Sequence, residues 1–197
     1  MNIKTKKIIK IGAVIAGGVI LMGGIVVGVT GLWPVARVGA APITYAAFRD
    51  NFMMADHFYR SNVKIGGKGD QAMSTKEVQR DLQRVTMEGL IDRILIDREL
   101  ASRYSAGDLN RLIANKVEGI DLTSEMMVKA MRLMYGLTPE EFKELVLIPK
   151  AKQEILEGNL SLRNENFNDW LTAQKAAAHV SIFVPALQWN GKGVQVR

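Results

Sequence analysis

From Ile11 to Trp33 the sequence reads IGAVIAGGVILMGGIVVGVTGLW, 23 residues without a charge. As a helix this run extends about 34 Å, slightly more than the hydrocarbon core of a bilayer. A helix that is apolar on every side needs more partner surface than a chain of 197 residues offers. Lipid accepts it, because a helix satisfies its own backbone hydrogen bonds. The run therefore predicts a transmembrane anchor over residues 11–33, with Trp33 at the interface and Pro34 ending the helix.

Charge sets the direction of that anchor. The chain holds 26 Lys and Arg against 20 Asp and Glu, a net of +6. Lys4, Lys6, Lys7 and Lys10 precede the apolar run, and no acidic residue stands before Trp33, so the remainder carries 22 basic against 20 acidic groups. Under the positive-inside rule, residues 1–10 form a cytoplasmic basic tail and everything after the run is extracytoplasmic. A cleavable signal peptide is the competing reading, with Val38-Gly39-Ala40 as small residues for a peptidase. Its apolar region would be far longer than the usual stretch of about 7–15 residues, and the cut would follow Arg37, well past the membrane edge. The nearly balanced outer domain argues against nucleic acid as a partner, while the run itself makes the lipid bilayer one. Gly24 and Gly28 have the G-x-x-x-G spacing that lets two membrane helices approach closely. A homodimer through the anchor is one explanation, and the general frequency of glycine in membrane helices is the other.

Beyond the anchor the periodicity is mostly helical. Val35–Val38 reads as a brief strand, closed by a turn over residues 39–42, and Thr44 caps a helix through Phe48, Phe52 and Phe58. Gly66–Asp70 is a loop without the Gly-Lys-Ser/Thr of a phosphate site. Ser74 with Glu77 predicts a capping box for a long helix to about Tyr104, with Met87, Leu90, Ile91, Ile94 and Leu95 as its buried stripe. Ser105 and Thr123 start the next two helices, and Gly136 ends the second. Thr138-Pro139-Glu140-Glu141 is a strong helix start, and Pro149 predicts a kink in the helix that follows. A last helix holds Phe167 and Trp170, and residues 180–185 form a terminal strand. Residues 186–197, with Gly191 and Gly193, are expected to be a loose tail.

The order of these signals resembles the SurA-type N-terminal domain of bacterial periplasmic foldases. VARVGAAPIT leading into YAAFRDNF is similar to that family's opening strand, turn and first helix. MEGLIDRILIDRELASRY resembles its long helix, YGLTPEEFKELVLIPKAKQEIL its Gly-Leu-Thr helix start, and FNDWLTAQKAAAHVSIF its closing helix and strand. Together they cover most of residues 35–184. The resemblance implies a mainly α module over residues 34–185 whose two ends meet in a short strand pair. It also implies a chaperone activity on unfolded or nascent extracytoplasmic polypeptides, at a bacterial cytoplasmic membrane. The α/β block of a parvulin isomerase, often attached to such modules, has no room here, so prolyl isomerase activity is expected to be absent.

No residue pattern names a reaction. There is no Cys and only His57 and His179, which excludes thiolate and His-rich metal sites in one chain, and no cofactor is expected. His57 beside Asp56 has no nucleophile at a defined spacing and reads as a partly exposed helix histidine. Glu140 and Glu141 are explained by capping, and Arg93, Arg98, Arg103 and Arg111, interleaved with acids, by a solvated mixed face. The unusual feature is methionine. Met127, Met131 and Met134, with Met53 and Met54, are candidate walls of an adaptable client-binding groove. The same spacing also suits a buried stripe. An open groove beside the first three favours holding of many clients; a filled one favours a non-catalytic scaffold that docks one partner in an envelope assembly.

Overall fold

The computed structural model of the protein describes residues 31–65 and 75–197. The basic tail, residues 11–30 of the expected anchor with Gly24 and Gly28, the Gly66–Asp70 loop and Ser74 lie outside the described residues. Among the described residues no helix is long and apolar enough to cross a membrane.

What is described is mainly helical, with small antiparallel strands. Strands β1 (Pro34–Val38) and β2 (Ala41–Thr44) pair through a two-residue turn, and β3 (Val180–Ile182) closes on the other edge of β1. The order is β2-β1-β3, so the two ends of the module meet in one sheet. The turn is tighter than the sequence pattern suggests. Gly39 takes φ +57, which an L side chain rarely adopts, and so frees Ala41 and Pro42 to join β2.

Residues Gly31–Trp33, the end of the apolar run, are not helical. Their backbone is committed to the start of helix α1 (Tyr45–Ile65). Ala46 N–H donates to Gly31 O and Tyr45 N–H to Trp33 O, both at 2.9 Å. The Trp33 and Tyr45 rings stack 4.6 Å apart at 15°. The expectation of a helix through Trp33 is corrected by this use of its carbonyl as a partner for the first turn of α1.

Helix α2 (Lys76–Arg103) is the spine of the module. Its N-cap is Thr75, whose hydroxyl accepts from Val78 N–H at 3.3 Å. Of the predicted stripe, Met87, Leu90, Ile91 and Leu95 are buried and pack with Val35, Ala36, Val38, Ile43 and Phe48 in one core, while Ile94 lies half-buried against it. From the next residue, Ile96 and Leu100 enter a second core with Ile113 and Val117 of α3 (Ala106–Val117) and Ile155, Leu156 and Leu160 of α6 (Ile148–Ser161). Between these lie α4 (Glu125–Tyr135), the short α5 (Pro139–Phe142) and a π-helical turn, Lys143–Leu147, that leads into α6. Helix α7 (Phe167–Ala177) then returns the chain to the sheet. Its Lys175 ammonium lies 2.9 Å from both Glu88 and Asp92 of α2.

The expected loose tail is instead a hairpin. Strands β4 (Leu187–Trp189) and β5 (Val194–Val196) pair antiparallel, and Leu187 and Val194 are buried in the first core. Asn190 Oδ1 accepts from Lys192 and Gly193 N–H at 2.9 and 2.8 Å, which closes the turn that Gly191, at φ +88, permits. The glycines that suggested looseness are thus turn chemistry. The module runs to the last strand rather than stopping at residue 185.

Candidate functional site

The stripe Met127, Met131 and Met134 lies on α4, which packs against α1. Met131 is 1% exposed and the other two are half-buried, whereas Met126 is 83% and Leu133 61% exposed. The stripe is therefore the packed face of α4. The groove expected along those three residues is filled, because an apolar i, i+4, i+7 pattern is first of all what a helix needs to dock. Ser124, rather than Thr123, is the N-cap residue. Thr123 is bound to Asp121, whose carboxylate takes both its N–H and its hydroxyl.

The other two methionines border an open cleft. A space of about 430 Å³ separates α1, through Asp50, Met53, Met54 and His57, from the end of α4 and the start of the next helix. Tyr135, Gly136 and Leu137 form one wall, and Glu140, Glu141, Glu144 and Leu145 the other. Met53 is 61% exposed and free to adapt. The cleft thus joins Met53 and Met54 to residues that sequence reasoning assigned only to capping.

Local chemistry fixes each wall. Helix α4 ends at Gly136 in the left-handed region, φ +70, with Gly136 and Leu137 N–H closing back on Arg132 and Met131 carbonyls. The His57 ring lies against that glycine so closely that a Cβ there would meet Nδ1 at 2.9 Å. His57 Nε2–H donates to Leu133 O at 3.1 Å, since a carbonyl only accepts, and the Ser61 hydroxyl donates to the same oxygen at 2.8 Å. His57 is therefore the clamp of α1 on α4. Beside it, Phe58 stacks on Tyr135 at 5.0 Å, and Tyr135 meets Phe142 edge-on at 5.2 Å.

The far wall begins with the predicted capping box. Thr138 N–H donates to Glu141 Oε2 at 2.8 Å, and Glu141 N–H to Thr138 Oγ1 at 3.3 Å. The bonds that its carboxylate accepts from the Thr138 N–H and hydroxyl hold the Glu141 carboxyl below its usual range. The Pro149 signal appears as widening rather than a simple kink. Pro149 has no N–H for the carbonyl of Leu145, four residues earlier, and the chain passes through the π turn just before it. Leu145 O instead accepts from Arg93 Nη2 at 3.0 Å, while Arg93 Nη1 donates to Asn51 Oδ1 at 2.8 Å. Burial pulls the Arg93 guanidinium below its ordinary value. The expected solvated mixed face holds in part: Arg111 pairs with Asp108 in the open and Arg98 is exposed while reaching Val38 O at 3.0 Å, whereas Arg103 is largely covered and pairs with Glu99 at 2.7 Å.

A second space, about 750 Å³, opens between α3 and the residues after it, beside Ile113, Val117, Ile120 and Ile148. Its charges are mixed, with Glu118, Asp121 and Lys143. Among the described residues no cluster of His, Asp and Glu has the arrangement to hold a metal ion. Asp56 is engaged by Arg60 at 2.7 Å and by Gln79 at 2.8 Å rather than by His57. The chain matches no protein-family model, no characterised protein and no solved structure.

Proposed function

We propose that this is a membrane-anchored extracytoplasmic chaperone-like protein that holds unfolded or newly translocated polypeptide without chemical turnover. The observation that carries the reading is the open cleft with Met53, Met54 and Leu137 beside Tyr135: adaptable apolar side chains over an aromatic wall, between clamped helices. The 23-residue apolar run supports the anchor and its orientation. The resemblance to the SurA-type N-terminal domain supports the activity, and the return of β3 onto β1 agrees with the topology that resemblance implies. Holding covers apolar residues reversibly, so it requires neither a nucleophile nor a cofactor.

The full chain in nanodiscs is expected to suppress aggregation of a chemically unfolded substrate, and Met53→Ser with Met54→Ser to remove most of that protection. No suppression at several-fold excess over the substrate overturns the reading. Isomerisation of a proline model peptide is expected to stay at its uncatalysed pace of tens to hundreds of seconds. Alkaline extraction of membranes from cells expressing the full chain is expected to leave it in the pellet.

The filled stripe on α4 favours the scaffold as a second reading. Met126 and Leu133, seven residues apart and so on one side of that helix, stand exposed beside its packed stripe and suit one fixed partner. Under that reading Met126→Asp with Leu133→Asp releases a single co-purifying protein and leaves aggregation untouched.

A further inference from the structure

We infer that the segments this cleft holds are cationic as well as apolar: stretches of extended polypeptide in which an apolar side chain is flanked by Lys or Arg. This rests on the holding function proposed above and specifies its clients. Asp50, Glu140, Glu141 and Glu144 line the space, and no Lys or Arg is among the described residues that do. Two of the four are already engaged. Asp50 pairs with Arg49 at 2.8 Å, and Glu141 is taken by the Thr138 backbone and hydroxyl. Glu140 and Glu144 are exposed and have no ion-pair partner among the described residues. They stand four residues apart on one helical stretch, where like charges disfavour one another until a cation sits between them.

Tyr135, with Phe58 stacked on its ring and Phe142 meeting it edge-on, adds an aromatic surface to the same lining for the apolar part of the segment. The local sign is not inherited from the domain, because the sequence after the apolar run carries 22 basic against 20 acidic groups. Nor is it a general property of the molecule's hollows, since the larger space beside α3 has charges of both signs. A volume of about 430 Å³ admits a few side chains, not the surface of a folded partner.

The test uses the full chain in nanodiscs of zwitterionic phosphatidylcholine, with empty nanodiscs as the blank. The probes are labelled peptides that share one apolar core and carry Lys, Arg, Gln or Glu on both sides. The Lys and Arg peptides are expected to bind about fivefold more tightly than the Gln peptide at low ionic strength, and the Glu peptide least. Glu140→Gln with Glu144→Gln, or salt added to the unaltered chain, is expected to shrink that margin to less than about twofold. Equal binding of the Lys and Gln peptides overturns the charge preference and leaves the holding function standing. A preference that survives the double variant overturns this location for it. Failure of every peptide to bind, together with no suppression of aggregation, overturns both.

Discussion

Arg93 shows how one side chain ties the cleft to the rest of the molecule. Its guanidinium joins Asn51 of α1 to the carbonyl that Pro149 leaves without a helical donor. Arg93→Met orphans both acceptors and is expected to cost about 3 kcal/mol, read as a lower urea midpoint by circular dichroism. Gly136 is a second such position. A side chain at φ +70 is strained by about 1–2 kcal/mol, and its Cβ would also press on the His57 ring. Gly136→Ala is expected to destabilise by at least that amount, and His57→Ala in the same chain to recover only the steric part. Neither role was legible in sequence. Arg93 reads as one charge among alternating charges, and its partners lie 42 and 52 residues away. The Pro149 signal was present, but the carbonyl it frees belongs to a turn whose partner only the tertiary fold supplies.

At the level of elements, helix starts and stops were the readable part because they are local chemistry. Thr138, Pro139 and Glu141 form the box their spacing predicts, and Gly136 takes the left-handed cap. The Met stripe on α4 was readable as amphipathic, but amphipathicity does not say whether a neighbour covers the face; α1 does. The hairpin β4–β5 was not readable, since three-residue strands are too short to show alternation and their turn is rich in glycine. Deleting residues 186–197 removes buried Leu187 and Val194 and is expected to cost about 3–6 kcal/mol, against none for a loose tail. Asp56 links α1 to α2 through Gln79. Burial favours its neutral form, but the bonds from Arg60 and Gln79 outweigh this and leave the carboxyl below its usual range. A depressed folded-state value means that stability is present above the ordinary carboxyl value and is lost as pH falls through the folded one. The thermal midpoint is therefore expected to drop below about pH 4, and less steeply in Asp56→Asn.

Across the whole molecule, two cores share one helix, and the cleft belongs to neither. Met87 to Leu95 fasten α2 to the sheet and Ile96 to Leu160 fasten it to α3 and α6, whereas α4 is attached chiefly through α1. Hydrogen exchange is expected to be slowest in α2 and faster in α4, so the wall carrying Tyr135 opens before the spine does. Slower exchange in α4 than in α2 would contradict that order. A rigid spine with one looser wall would suit the proposed holding of varied segments.

The joint at the end of the apolar run has a mechanical consequence. The Trp33–Tyr45 ring stack, with the backbone bonds from Tyr45 to Trp33 and from Ala46 to Gly31, couples the end of the run to α1, so a rotation imposed on Trp33 is passed to that helix. Asp50 to His57 lie five to twelve residues further along that helix, about 8–18 Å at 1.5 Å per residue. Helix α1 thus acts as a short lever arm: whatever holds Trp33 aims the cleft, and, under the holding function proposed above, tension on a bound strand would be delivered back to the same stacked pair of rings.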